Sequence, residues 1–326
     1  MDSSRARDLL EQPVVGTVAA LVDRCLSQAR RAVRQVGRPG KTEALHDFRV
    51  ALRRCRGVLR AYRPWLGRAA GKRVRAELRR LMRQTNQGRD AEVQVVWLES
   101  VRPALRRSER VGLNHLLERL RRRRHAGHAA AAAAVRSRFE RLDEELRARL
   151  ERVAPAPQTF GCAFGERLQE YAADTAARLA AIATAAGDDE LHDARLAVKR
   201  LRYLVEPAVV DLTDGAEEEA ALKRLQEVLG ELNDARVLAA AVDRALARVS
   251  ADQTARLRRL ALSGTEEELA RARRRDERLG LLRIMRLLEG RRQELLAVLR
   301  RDQLAAGQDA CASLARDGAA LCEGAR

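Results

Sequence analysis

Residues 45–56 read LHDFRVALRRCR, and residues 191–202 read LHDARLAVKRLR. Both open on Leu-His-Asp and continue with Arg, Ala and a basic cluster at shared positions. The chain has only five histidines in 326 residues, so two in one repeated pattern are informative. On a helix, at about 100° per residue, His46, Arg49, Arg53, Arg56 and Arg60 fall within an arc of about 80°. Leu45, Phe48, Ala51, Leu52, Cys55, Val58, Leu59 and Tyr62 fill a separate arc of about 140°. One face builds core, and the stripe beside it is a row of cations. In the second stretch His192, Arg195, Lys199 and Arg202 take the angles of His46, Arg49, Arg53 and Arg56. Leu191, Ala194, Ala197, Val198, Leu201, Leu204 and Val205 form its apolar face. Glu206 stands where Arg60 does, so the second row is shorter.

A row of cations repels itself by a few tenths of a kcal/mol per pair at i,i+3 or i,i+4. Acids on a neighbouring helix would relieve that repulsion, and so would a bound polyanion. The same angular arrangement twice, each time headed by a histidine, favours the polyanion. A neutral imidazole can still donate a hydrogen bond to phosphate, and a nearby phosphate favours its charged form.

The repeat reaches beyond these stretches. His46 and His192 are 146 residues apart; LRRL (78–81) matches LKRL (222–225), and RDAEV (89–93) matches NDARV (233–237), both at an offset of 144. Two similar halves of about four helices each are expected, as two bundles related by a pseudo-two-fold axis. Pro13 is placed to open a first helix reaching about Val36, and GRPGK (37–41) to break it. Thr42 is a candidate cap for the first motif helix, which should stop before Pro64. A third helix is expected to about Gln87, with Asp90 capping a fourth, and one or two long helices over 102–152. APAPQTFG (154–161) reads as the linker. Beyond it a helix over 161–186 precedes the second motif helix, which should end before Pro207. Asn233-Asp234 is a candidate cap. Thr265 is another, opening a last long helix to about Arg301. The expected domains are a first half over 8–153, a linker over 154–159, a second half over 160–302 and a small-residue tail over 303–326.

Composition agrees with an all-α fold. Aromatics make up 3% of the chain, and Leu, Ala and Arg dominate. The net charge is +18, and only four of the 64 basic residues are lysines: Lys41, Lys72, Lys199 and Lys223. Arginine presents a planar fork to phosphate oxygens and does not lose its charge. The five cysteines are scattered with no Cys-x-x-Cys pair, so they read as small apolar residues in a reducing, cytoplasmic setting. No apolar run approaches the length a membrane helix needs, and residues 1–24 do not read as a signal peptide. GRAAGKR (67–73) departs from a phosphate loop in its spacing and in Arg73. His125 and His128 lack an acidic or Cys partner, so no metal site is expected, and no cofactor.

Taken together, the twin His-led motifs, RDAEV and NDARV, and the chain length resemble the CHAD domain, the conserved histidine α-helical domain. The resemblance covers about residues 8–302. It implies two four-helix bundles flanking a central basic groove or pore. It also implies binding of inorganic polyphosphate and, in some members, association with polyphosphate or polyhydroxyalkanoate granules. By that resemblance His46, Arg49, Arg53, Arg54 and Arg56 line the groove from the first half. His192, Arg195, Lys199, Arg200 and Arg202 do so from the second. The wheel adds Arg60 and places Arg54 and Arg200 off the main stripe. Arg79 and Lys223 are matched basic positions, whereas Arg89 has Asn233 as its counterpart. A triphosphate-tunnel domain, which often accompanies this family, would carry Glu-x-Glu-x-Lys, and none of the four lysines has that pattern upstream. A stand-alone, non-catalytic polyphosphate binder is therefore expected, granule-associated in the cytoplasm. A nucleic-acid-binding protein is the alternative, disfavoured by the few aromatics available for stacking. A metal-dependent phosphoanhydride hydrolase is less favoured still.

Overall fold

The structure, a computed structural model, describes residues 8–36, 43–184, 187–209, 216–274 and 276–324; over 86–92, 123–134, 207–209 and 274 it describes the backbone only. Those residues are all-α, with one isolated bridge between Pro13 and Thr159 and no strands. In chain order the helices are α1 (Val14–Val33), α2 (Ala44–Ala61), a single turn α3 (Arg63–Leu66), α4 (Lys72–Ser100) and α5 (Arg110–Leu150). After the linker come α6 (Phe160–Thr184), α7 (Asp188–Val209), α8 (Ala216–Ser263), α9 (Glu266–Arg274), α10 (Arg278–Val298) and α11 (Leu304–Glu323).

The helices divide into two compact units. The first takes residues 1–86, 128–229 and 298–326, and the second takes 87–127 and 230–297. Each unit therefore draws on both halves of the sequence. In the first unit α1 packs on α2, and Phe48 of α2 meets Phe139 of α5 edge to face at 5.2 Å. Asp143 of α5 is almost wholly buried and accepts from Arg30 of α1 at 2.7 Å and from Arg147 at 2.9 Å. Arg138 of α5 pairs with Glu77 at the start of α4 at 2.7 Å. α6 packs on α7 and on α11, and Ser313 of α11 donates to Glu218 at the start of α8 at 2.8 Å. The order of first helix, motif helix, start of a long third and end of the chain segment is thus met twice within this unit. That recurrence is consistent with the duplication.

The apolar faces forecast on the motif helices are the buried ones: Phe48, Leu52, Cys55 and Leu59 on α2, and Ala194, Val198 and Leu201 on α7. Cys25, Cys55 and Cys311 are buried as small apolar side chains, and burial pushes the Cys311 thiol up to about 12. Thr265 forms the forecast cap: its hydroxyl accepts from the Glu268 amide at 3.2 Å, and its own amide donates back to the Glu268 carboxylate at 2.9 Å.

Several helix boundaries differ from expectation. α4 runs straight through Asp90, and α8 through Asn233 and Asp234. A capping residue permits a helix start without forcing one, and the apolar period carries on past both sites. α7 continues to Val209, two residues past Pro207, because the fixed φ of proline is itself helical. The last long helix is two, α9 and α10, with residues 276 and 277 outside either. Residues 304–323, expected as a small-residue tail of weak helical tendency, form α11, with Leu304, Ala310, Cys311 and Leu314 buried. Its small residues let it lie close to α6: a Cβ on Gly318 would stand 2.8 Å from the Gly165 carbonyl oxygen. Thr42 and GRPGK lie outside the described residues.

The second unit closes on its own leucine core. Leu98, Leu113, Leu116, Leu117, Leu238, Val242, Leu281 and Ile284 are buried in one cluster. α5 and α10 meet there at Gly112 and Gly280, where a Cβ on Gly280 would come within 1.9 Å of the Glu109 carbonyl oxygen.

Candidate functional site

The two cationic stripes lie in the first unit, on α2 and α7, and these helices pack against each other. Gly57 of α2 faces Tyr203 of α7; a Cβ on Gly57 would stand 3.6 Å from that of Tyr203. Gly57 and Tyr203 are equivalent positions of the repeat, 146 residues apart. Equivalent residues that touch lie where the two motif helices cross, and other contacts repeat about this point. Arg56 donates to the Met82 sulfur at 3.8 Å, and its counterpart Arg202 donates to Gln226 at 3.1 Å. Met82 and Gln226 are themselves equivalent, by the offset of 144.

The arrangement breaks symmetry at one pair. Arg54 reaches across from α2 to form an ion pair with Glu206 of α7. The counterpart of that pair is Arg200 with Arg60, which is two cations. Arg200 leans instead on Asp174 of α6, at 3.6 Å. Glu206 also draws Arg202, at 3.4 Å, and Glu219 holds Arg202 from the other side at 3.6 Å. One flank of the crossing is closed by acids. The other keeps its positive charge.

That second flank is a cleft of about 140 Å³. Arg53, Arg56 and Arg60 line it from α2, Leu196, Lys199, Arg200 and Tyr203 from α7, with Met82 and Tyr171 completing the wall. No carboxylate stands among its lining residues. Arg53 donates to the Tyr203 hydroxyl at 3.0 Å. The Lys199 ammonium lies 5.9 Å from the centre of the same ring, and the Arg202 guanidinium 5.4 Å. Tyr203 thus holds cations from both halves around one phenol.

Crowding shows in the protonation of these groups. Burial, then Arg53, Arg195, Arg56 and Arg202, hold the Lys199 amine down to about 7. Arg56 is lowered by burial and by Arg60, Arg79 and Arg200, and Arg200 by burial and by Arg60. A fold would ordinarily place acids here. Their absence from the lining leaves a site whose electrostatics would be satisfied by an anion.

Of the residues singled out from sequence, Arg53, Arg56, Arg60, Lys199 and Arg200 line the cleft. Arg79 and Arg195 act on it through their charge. His46, Arg49 and His192 sit on the same helices outside the lining, His46 exposed and the other two partly buried, and the Nδ1 atom of His192 is buried without a hydrogen-bond partner. Arg54 and Arg202 are tied to acids, and Lys223 is exposed on α8. The side chains of Arg89, His125 and His128 lie outside the described residues. Among the described residues no group of His, Cys, Asp and Glu could hold a metal ion, and no helix is long and apolar enough to cross a membrane. Tyr203, Tyr171 and Met82 went unremarked in the sequence. Tyr203 had a signal: at eleven residues past His192 it falls about 20° from the stripe.

The model of the CHAD domain family matches residues 20–243. The crystal structure of the CHAD domain from the plant Ricinus communis superposes with a TM-score of 0.62, 19% identity and 93% of each chain covered. PptA from Streptomyces chartreusis superposes with a TM-score of 0.57 and 18% identity, covering 88% of this chain and 100% of its own. No curated protein matches the sequence. At these identities the two structures speak for the fold. The family match spans well over half of the chain and includes both motif helices, so this chain belongs to the CHAD domain family.

Proposed function

We propose that the chain binds inorganic polyphosphate at the α2–α7 crossing, without cleaving it. The observation that carries this reading is the cleft where Arg53, Arg56, Arg60, Lys199 and Arg200 converge from both halves without an acid among its lining residues. A linear polyanion has no bases to read, so charge-assisted hydrogen bonds and counterion release supply the affinity. His46, Arg49, His192 and Arg195 extend the cationic path along α2 and α7 beyond the cleft, and Arg79 adds to its potential. Arg54 and Arg202 serve the framework: their acids set the spacing of the two helices. The wall offers no carboxylate to position a divalent ion or activate water, which favours capture. The same binding would hold the chain at polyphosphate-rich granules.

The test is competition between long-chain polyphosphate and double-stranded DNA at matched phosphate concentration and about 150 mM salt. Polyphosphate should win. Equal or stronger DNA binding refutes the assignment, and phosphate release from polyphosphate under Mg²⁺ or Mn²⁺ refutes the non-catalytic part.

A further inference from the structure

The cleft contains one group that electrostatic capture does not require, a primary amine. Lys199 shares the wall with Arg53, Arg56, Arg60 and Arg200. We propose that this cleft is a modification site for small acyl phosphates, in which the guanidinium groups seat the phosphate and the Lys199 amine accepts the acyl group. The inference rests on the phosphate-binding reading above and adds a reaction to it.

The step balances without a redox partner. The Nζ lone pair attacks the acyl carbon, and a C–N bond forms. The C–O bond to phosphorus breaks, leaving its electron pair on the phosphate oxygen. The proton displaced from nitrogen goes to the released phosphate, and the products are an amide and hydrogen phosphate. Lysine becomes a nucleophile when it is desolvated beside other cations, which is the situation of Lys199. At pH 8 most of this amine is neutral, whereas an ordinary lysine is neutral in about one molecule in 250. The same guanidinium groups face the charge that grows on the departing phosphate. A cleft of about 140 Å³ suits a two- or three-carbon acyl phosphate. Acylation also removes an amine that a bound polyanion would hold protonated, so it would weaken capture of polyphosphate. The metabolic supply of acyl phosphate would thereby set how much of the protein can hold its ligand.

The chain provides its own controls, because only Lys41, Lys72, Lys199 and Lys223 compete, and Lys72 and Lys223 are exposed. The full chain is treated with acetyl phosphate at pH 8, and in parallel with acetic anhydride, which carries no phosphate. Acetylation of each lysine is followed by peptide mass mapping. With acetyl phosphate Lys199 should react about tenfold faster than Lys72 or Lys223, a preference below the ratio of neutral amine because a less basic nitrogen attacks more slowly. The preference should shrink with acetic anhydride and vanish when tripolyphosphate fills the cleft. Equal rates at the three lysines overturn the proposal, and an undiminished preference with the anhydride overturns the phosphate seat. Arg60→Gln, at an exposed position that leaves the core intact, should slow acetyl phosphate labelling of Lys199 more than anhydride labelling. Selective acetylation in a protein that fails to bind polyphosphate would sink the binding assignment and leave this inference standing. Polyphosphate binding with an unreactive Lys199 would do the reverse.

Discussion

Replacing Lys199 with Met should make the protein more stable, and the gain should depend on pH. The amine titrates near 7 in the folded chain and near 10.5 in an unfolded one. Below pH 7 both states hold the proton, and the folded state bears the full cost of a desolvated cation beside Arg53 and Arg56 of α2 and Arg195 and Arg202 of α7. Above pH 10.5 neither state holds it, and the cost is gone. Between these limits the unfolded chain binds more protons, so wild-type stability should rise with pH at up to about 1.4 kcal/mol per unit. The whole shift corresponds to about 5 kcal/mol. Counter-ions drawn into an open cleft reduce this, so about 1–3 kcal/mol is expected at pH 6. Met keeps the aliphatic bulk against Leu196 and the Tyr203 ring. The assay is urea unfolding of both proteins at pH 6, 7.5 and 9. The variant should lead at pH 6, and the gap should narrow steadily toward pH 9. A destabilised variant, or a gap that does not change with pH, refutes the account of Lys199 as a charge held against its solvation. Saturating tripolyphosphate should raise the amine toward its ordinary value and flatten the wild-type pH dependence.

Arg60→Glu should recreate at Arg200 the ion pair that Arg54 makes with Glu206; it should add about 1 kcal/mol of stability, while lowering the slope of log affinity for polyphosphate against log salt by about 2, read from titrations across salt concentrations. Gly280→Ala would drive a methyl group into the Glu109 carbonyl oxygen, and should cost about 3 kcal/mol in the second unit, seen as faster amide hydrogen exchange over α10 with α2 and α7 unchanged. Asp143→Asn removes the carboxylate shared by Arg30 and Arg147; because both arginines retain access to water, the loss should be about 2 kcal/mol by urea unfolding, with polyphosphate affinity unaltered.

The motif helices were legible because two periodicities coincide in them. The apolar period of 3.6 fixed which faces of α2 and α7 are buried, and Phe48, Leu52, Val198 and Leu201 lie where the wheel puts them. The cations next to that arc had to stand at the edge of the bundle. Helix ends were less legible because they depend on competition. Asp90 and Asn233 can cap a helix, but the apolar period continues through each, and one long helix keeps backbone bonds that a break would lose. α11 was obscured by its small residues. Ala, Gly, Cys and Ser give a faint apolar signal, yet they suit an interface where Gly318 lies against Gly165. The acid that binds Arg54 was not readable as its partner: Glu206 is 152 residues from Arg54, and no local spacing connects them, although Glu206 lies one helical turn past Arg202.

Glu206 also decides which side of the crossing can take an anion. A perfectly duplicated pair of motifs would carry either Glu at both outer positions or Arg at both. With Glu at both, Arg54 and Arg200 would each be paired across the crossing, and the charge would be spent within the fold. With Arg at both, four guanidinium groups would crowd the crossing, and repulsion would push α2 and α7 apart. Here one position is Glu206 and the other Arg60. The Arg54–Glu206 pair draws α2 to α7 on one flank, and Gly57 faces Tyr203 at the centre. The attraction on that flank holds together the crowded cations on the other. Arg53 is bound to Tyr203, so it cannot swing away from Lys199 when no ligand is present. Under the proposed function, because the cations are already assembled, a phosphate chain that enters would not have to gather them, and the repulsion it relieves would add to its affinity. The two motifs that look redundant in sequence therefore do different work. The second anchors the crossing with its glutamate, and the first supplies the unpaired end of the charge.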